Sequence, residues 1–125
     1  MKPYLFVGLG GFVGAILRHA ANMGLAGKAT PVPLGTLTVN AVGSFGLGLL
    51  IAYSAAQRGL SEEWRLALGV GLCGALTTFS TFSVETIELA RTHSWRLAGL
   101  NLVLNASISL VAAWAGMRLL AGPDA

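Results

Sequence analysis

The sequence predicts an all-α membrane protein with four transmembrane helices in each subunit. Three observations carry that prediction. The first is composition: of 125 residues, 54% are hydrophobic and 10% charged, with a mean hydropathy of +0.71. A soluble domain carries about 25% charged residues, and a body this small exposes much of its area. Eight Lys and Arg with five Asp and Glu are too few to solvate such a surface. The second is the length of the uncharged runs, and the third is the polar punctuation between them. A soluble enzyme, a nucleic-acid binder and a disordered chain are all disfavoured.

A helix needs about 20 mostly apolar residues to cross a hydrocarbon core of about 30 Å. Uncharged stretches run from Ala29 to Gln57, from Leu66 to Val84 and from Leu97 to Met117. A further stretch from Pro3 to Leu17 is interrupted by Arg18 and His19, then resumes to Gly27. Helices are therefore expected near 4–25, 34–56, 64–91 and 96–120, all in one transmembrane domain spanning 1–125.

Pro31 and Pro33 mark the first connection, since proline starts or ends helices. Arg58, Gly59, Ser61, Glu62 and Glu63 mark the second, with Ser61 as a candidate N-cap. Arg91 to Arg96 mark a short third connection, and Gly122-Pro123 begins a brief tail. The N-terminus has the outline of a signal peptide: Lys2, an apolar run, then small residues. Its many glycines, and the three helices that cleavage would leave, favour its retention as the first span.

The net charge is +3 and the isoelectric point about 9.6. The basic residues are dispersed, so no phosphate-binding run exists and no nucleic-acid partner is expected. With the N-terminus inside, Lys2, Arg58, Arg65 and Arg118 fall inside, and Lys28, Arg91 and Arg96 outside. So slight a bias barely specifies an orientation. Insertion both ways, with two opposed copies pairing as an antiparallel dimer, is one reading; a single orientation set by loop context is the other. Cys73 is the only cysteine, which excludes an internal disulfide and a Cys-rich metal site.

Seventeen glycines are many for a helical chain. Gly10 and Gly14 form GxxxG, and Ser44 and Gly48 repeat the small-residue spacing. Such faces let helices approach closely in lipid, either within the chain or between copies. The run from Gly8 to Gly14 is not a dinucleotide loop: no strand precedes it, and no suitably placed acidic residue follows.

Polar residues within the spans are more informative, because lipid penalises them unless they face a bundle or a path. Thr36, Asn40 and Ser44 recur at i, i+4 and i+8, and so do Asn101, Asn105 and Ser109. Each set shares one helical face. The two stripes either line an ion path or serve as interhelical glue.

The third span carries Gly69, Gly71 and Gly74, then five hydroxyl residues between Thr77 and Ser83 with Phe79 and Phe82 threaded among them. Each glycine weakens a helix by about 1 kcal/mol relative to alanine. The stretch is thus a candidate mid-membrane break, with an intact helix bearing a hydroxyl face as the alternative. Broken helices at that depth line cavities or bind ions. Freed carbonyls of Gly74 and Thr77 suit a small hard cation, whereas freed amides and hydroxyls suit an anion. The positive edges of Phe79 and Phe82 can meet an anion without trapping it. Arg18 either draws an anion toward a vestibule or snorkels. Glu85 and Glu88 lie one turn beyond the Phe pair. No catalytic constellation appears at workable spacing, so the chain does not read as an enzyme.

Three segments resemble the CrcB/Fluc family of small microbial fluoride channels. They are Gly10 through Arg18, Pro33 through Asn40 and, most specific, Gly71 through Ser83. The resemblance runs over nearly the whole chain. It implies a multi-pass protein of the cell (inner) membrane, an antiparallel dual-topology homodimer with two fluoride pores. It implies a structural sodium ion at the dimer centre, held by backbone carbonyls of the third-helix break, which map onto Gly74 and Thr77. The pore residues map onto Asn40, Phe79 and Phe82, with Thr81 and Ser109 along a polar track. Arg18 maps toward a vestibule and Glu85 near the pore's end. The implied partners are a second copy of the chain, fluoride, sodium and membrane lipid.

The expected function is passive export of cytoplasmic fluoride down its electrochemical gradient, which lowers fluoride toxicity. The alternative is a small proton-coupled multidrug exporter. Such exporters depend on a glutamate embedded in the first helix, where this chain has Arg18 and no acidic residue. A non-transporting scaffold would account for the glycines but not for the Thr/Ser/Phe segment.

Overall fold

The computed structural model describes residues 1–27, 30–56 and 59–120. Lys28, Arg58 and the tail at Gly122-Pro123 lie outside the described residues. The elements are α1 (Lys2–Leu25), α2 (Leu34–Ala55), α3 (Glu62–Arg65), a π-helical segment (Leu66–Cys73), α4 (Gly74–Leu76), α5 (Phe79–Thr92) and α6 (Trp95–Leu120). Four spans are long and apolar enough to cross a membrane: Lys2–Leu25, Leu34–Ala55, Glu62–Thr92 and Trp95–Leu120. At 1.5 Å per residue the shortest, α2, is about 33 Å long, which matches a bilayer core.

Local chemistry sets the ends of these spans. Pro3 sits in the first turn of α1, where its missing N–H costs nothing. Pro33 precedes α2. Ser61 caps α3, its hydroxyl accepting from the Trp64 amide at 3.5 Å. The third span thus begins at Glu62, two residues before the sequence expectation, because the cap recruits both glutamates into the first turn. Ser94 performs the same service for α6, accepting from the Leu97 amide at 3.2 Å. Trp64 and Trp95, both exposed, stand at opposite ends of the bundle, where amphipathic rings favour a membrane interface.

The helices pack in two close pairs, α1 along the π-helical segment and α2 along α6. Glycine makes both possible. A Cβ at Gly10 would strike the Ala67 carbonyl, and one at Gly14 the Leu72 carbonyl. From the other side, a Cβ at Gly71 would lie 2.6 Å from the Val7 carbonyl oxygen. In the second pair, Gly48 meets the Ala113 backbone and Gly116 the Phe45 backbone. Of the two readings of the glycine faces, these positions take the intrachain one. The π-helical segment carries Gly69 and Gly71 within its eight residues. Wide turns of this kind are rare and often mark functional sites.

The third span is not one continuous helix. After Leu76, Thr77 (φ −79°, ψ 155°) and Thr78 (φ −154°, ψ 120°) are extended, and helix resumes at Phe79. Thr77 is the central residue of Glu62–Thr92.

Gly48→Val is expected to lower the thermal midpoint in detergent by at least about 5 °C, as overpacking costs about 1–3 kcal/mol. Gly8→Ala, with open space around it in the chain, is expected to leave the midpoint unchanged. Thermal unfolding followed by circular dichroism checks both.

Candidate functional site

The interruption at Thr77 and Thr78 creates the site. In a continuous helix the Thr78 amide would meet the Gly74 carbonyl, and the Thr81 amide the Thr77 carbonyl. Both amides go elsewhere. The Thr78 amide donates to Asn40 Oδ1 at 2.8 Å. The Thr81 amide donates to Thr78 Oγ1 at 3.2 Å, making Thr78 the cap of α5. Asn40 Nδ2 donates back to the Thr78 carbonyl at 3.3 Å. One side-chain amide thereby pairs with both polar groups of an extended residue, as a neighbouring strand would. The interruption therefore leaves the Gly74 and Thr77 carbonyls without their helical amide partners.

A polar seam extends from this point. Asn40 Nδ2 also donates to Asn105 Oδ1 at 3.1 Å. Asn105 Nδ2 donates to Asn101 Oδ1 at 3.0 Å, and Asn101 Nδ2 to Thr86 Oγ1 at 2.8 Å. Thr78 Oγ1 donates to Thr81 Oγ1 at 3.1 Å. Asn101 is fully buried, at 0% exposure. The two periodic stripes face each other across α2, α5 and α6, and Asn40, Asn105 and Asn101 are bonded to partners rather than left open.

Beside the interruption lies an open groove of about 300 Å³. It is lined by residues from α2, the third span and α6, among them Asn40, Ser44, Gly74, Thr77, Phe79 and Ser109. Five of the sequence-predicted site residues therefore share one groove. Thr81 stands next to it, bonded to Thr78. Phe82 is buried at 8% exposure while Phe79 is 79% exposed, their ring centroids 5.6 Å apart and tilted by 56°. The pair thus presents one ring outward and one inward.

Arg18 and Glu85 do not line this groove. Arg18 lies half-buried on α1. Glu85 is on α5, its Oε1 accepting from Thr36 Oγ1 at 2.9 Å. Its second oxygen is buried with no hydrogen-bond partner among the described residues. Thr78, the residue that Asn40 grips, was not singled out by sequence reasoning. In sequence it is one of five hydroxyls, and nothing there distinguishes it from Thr77.

The donor set around the groove contains no cluster of three or more His, Cys, Asp or Glu among the described residues. Hydroxyls, the Asn40 amide, the Phe79 ring, Leu47, Cys73 and glycine backbone make up the lining. Such a set suits oxygen-seeking cations at its carbonyls and weakly held anions at its hydroxyls and ring edges.

Comparison with known proteins gives one answer. The family model described as "CrcB-like protein, Camphor Resistance (CrcB)" matches residues 5–117. A protein of Vibrio vulnificus (strain YJ016) named "Fluoride-specific ion channel FluC" is 46% identical over 118 residues, 92% of each chain. One of the same name from Methanococcus vannielii is 46% identical over 105 residues, 84% of each chain. Another, from Oceanobacillus iheyensis, is 43% identical over 119 residues, 95% of this chain and 92% of its own. With the family match covering both helix pairs, the interruption and the groove, the chain belongs to the CrcB family.

Proposed function

We propose that this protein is a fluoride-selective channel that lets cytoplasmic fluoride leave passively down its electrochemical gradient. The observation that carries the reading is the groove at the interrupted span, where hydroxyls and the Phe79 ring converge without a fixed positive charge. Fluoride is small and strongly hydrated, so a path must replace its water with donors. It must also hold the ion weakly, because conduction requires exit as well as entry. The names of the relatives point the same way.

In this reading the path runs past Asn40, Phe79, Phe82, Thr81 and Ser109. The Phe79 and Phe82 edges carry partial positive charge, and the Thr81 and Ser109 hydroxyls donate. Arg18, half-buried about two turns from the C-terminal end of α1, raises the local anion concentration in a vestibule. Glu85 marks the far end of the path, beyond the Phe pair. Acid that enters as HF and dissociates inside is trapped as fluoride, and this leak relieves the toxicity. The proton-coupled exporter is disfavoured because α1, from Lys2 to Leu25, contains no carboxylate.

The interruption lies at the middle of the bilayer, since Thr77 is midway along its span. A sodium ion fits the Gly74 and Thr77 carbonyls, whose helical amide partners donate elsewhere. It would supply the positive charge toward which carbonyl dipoles orient. Two carbonyls are too few to enclose a hard, oxygen-seeking cation, so a second copy contributes its own pair, which makes four. Opposed copies related by a two-fold axis through the ion give an antiparallel homodimer with dual topology in the cell membrane. The role of such a protein is transport, not catalysis.

The deciding experiment is efflux from liposomes containing the purified protein, read by a fluoride electrode with chloride as control. Fast fluoride release without chloride release is expected. No fluoride release from folded protein sinks the reading. Phe79→Leu and Phe82→Leu retain apolar bulk but lose the ring edge. Each is expected to cut fluoride efflux by at least about tenfold, the equivalent of about 1.4 kcal/mol in barrier, with helical content unchanged. Parental efflux in both variants would remove the ring edges from the path.

A further inference from the structure

Four side chains and the main chain of Thr78 form a hydrogen-bonded circuit that leaves α5 and returns to it. It starts at Thr78, the cap of that helix, and crosses to Asn40 on α2. It continues through Asn105 and Asn101 on α6 and returns to α5 at Thr86. The Thr86 hydroxyl donates to the Phe82 carbonyl at 2.7 Å.

The circuit has a single polarity. A backbone amide only donates, so the Asn40 atom 2.8 Å from the Thr78 nitrogen is the oxygen. Asn40 Nδ2 then faces Asn105, whose facing atom must accept. The other end of the Asn105 amide meets the Asn101 backbone carbonyl at 3.3 Å, which requires a nitrogen there. That nitrogen also meets Asn101 Oδ1, which turns Asn101 Nδ2 toward Thr86. At the far end stands another main-chain group, the Phe82 carbonyl, which only accepts. Amide orientation is normally ambiguous; here the backbone at both ends removes the choice.

The circuit also spends the Asn40 donors. One Nδ2 hydrogen goes to the Thr78 carbonyl and the other to Asn105. Two hydrogens are all that an amide nitrogen has, so none remains for an anion. Asn40 serves the site by bracing Thr78. Asn105 and Asn101 are buried, at 4% and 0% exposure, and neither lines the groove.

We infer that Asn105 and Asn101 are positioning residues. Asn105 acts through Asn40 at the Thr78 cap, and Asn101 through Thr86 midway along α5, and together they fix the rotation of that helix. That rotation turns the Phe79 ring outward and the Phe82 ring inward. The flux part of the test rests on the fluoride reading; the circuit itself does not.

The test measures fluoride efflux and hydrogen exchange of residues 77–82 in the full chain, with N40S, N105A and the double variant. Because N105A strips Asn40 of an acceptor, it is expected to lower efflux about tenfold and to speed exchange across 77–82. N40S/N105A is expected to match N40S in both readouts, since Asn105 acts only through Asn40. N101A is expected to fall between N105A and the parent, because Asn105 Nδ2 keeps the main-chain carbonyl of residue 101. Losses that multiply in the double variant, or parental exchange over 77–82 in N105A, overturn the inference. If N105A does not yield folded protein, N105S, which leaves a hydroxyl acceptor, is carried through the same cycle and judged by the same two results. A parent with no fluoride efflux but with exchange coupled as described sinks the fluoride reading and upholds the circuit. Normal parental efflux with uncoupled exchange does the reverse.

Discussion

The structure depends on one pairing, the side-chain amide of Asn40 against the main chain of Thr78. Two extended residues at the centre of a 31-residue apolar span release backbone donors and acceptors. Lipid offers those groups no water, and each one left bare costs several kcal/mol. Asn40 satisfies both groups of Thr78 at once, and the Thr78 hydroxyl then caps α5. A helix that would otherwise run through the middle of the bundle can therefore stop and restart. What remains beside that point is a groove with unclaimed carbonyls on one side and hydroxyls and a ring on the other.

The pairing works only because the helices come close enough for an amide to reach across. That closeness is a glycine property. Gly10, Gly14 and Gly71 let α1 lie backbone to backbone against the π-helical segment, which anchors the first half of the interrupted span. Gly48 and Gly116 do the same for α2 and α6, and hold Asn40 within reach of Asn105. In lipid there is no hydrophobic drive between helices, so tight packing and polar contacts carry association. Here the two act on the same helices: glycine sets the distance, and asparagine uses it.

Much of this was legible in the sequence, for reasons specific to each feature. The four spans follow from run length and punctuation, and Ser61 announces its own cap. The Asn40 and Asn105 stripes were visible as periodicities, but a period identifies a face and not its partner. Which of path or glue they served depended on a distance between α2 and α6 that no local pattern encodes. The π-helical segment was not foreseen, because glycine is common in membrane helices and its spacing does not reveal hydrogen-bond register. Thr78 was hidden among its hydroxyl neighbours until the extended backbone set it apart. Arg18 and Glu85 stood out as charges in apolar runs, yet the groove does not include them. Glu85 instead meets Thr36, on the same stripe of α2 that carries Asn40.

A fluoride path past the interruption requires that water and ions reach the groove, whereas the outward faces of the same helices lie in lipid. Thiol chemistry tests this most directly. Ser109 lines the groove, and Leu110, its neighbour on α6, faces outward at 71% exposure. With Cys73 replaced by Ala, Ser109→Cys and Leu110→Cys are reconstituted in liposomes and exposed to silver ions. Rapid loss of the free thiol at position 109 and persistence at position 110 are expected. Equal protection of the two thiols, in folded protein, would contradict such a path.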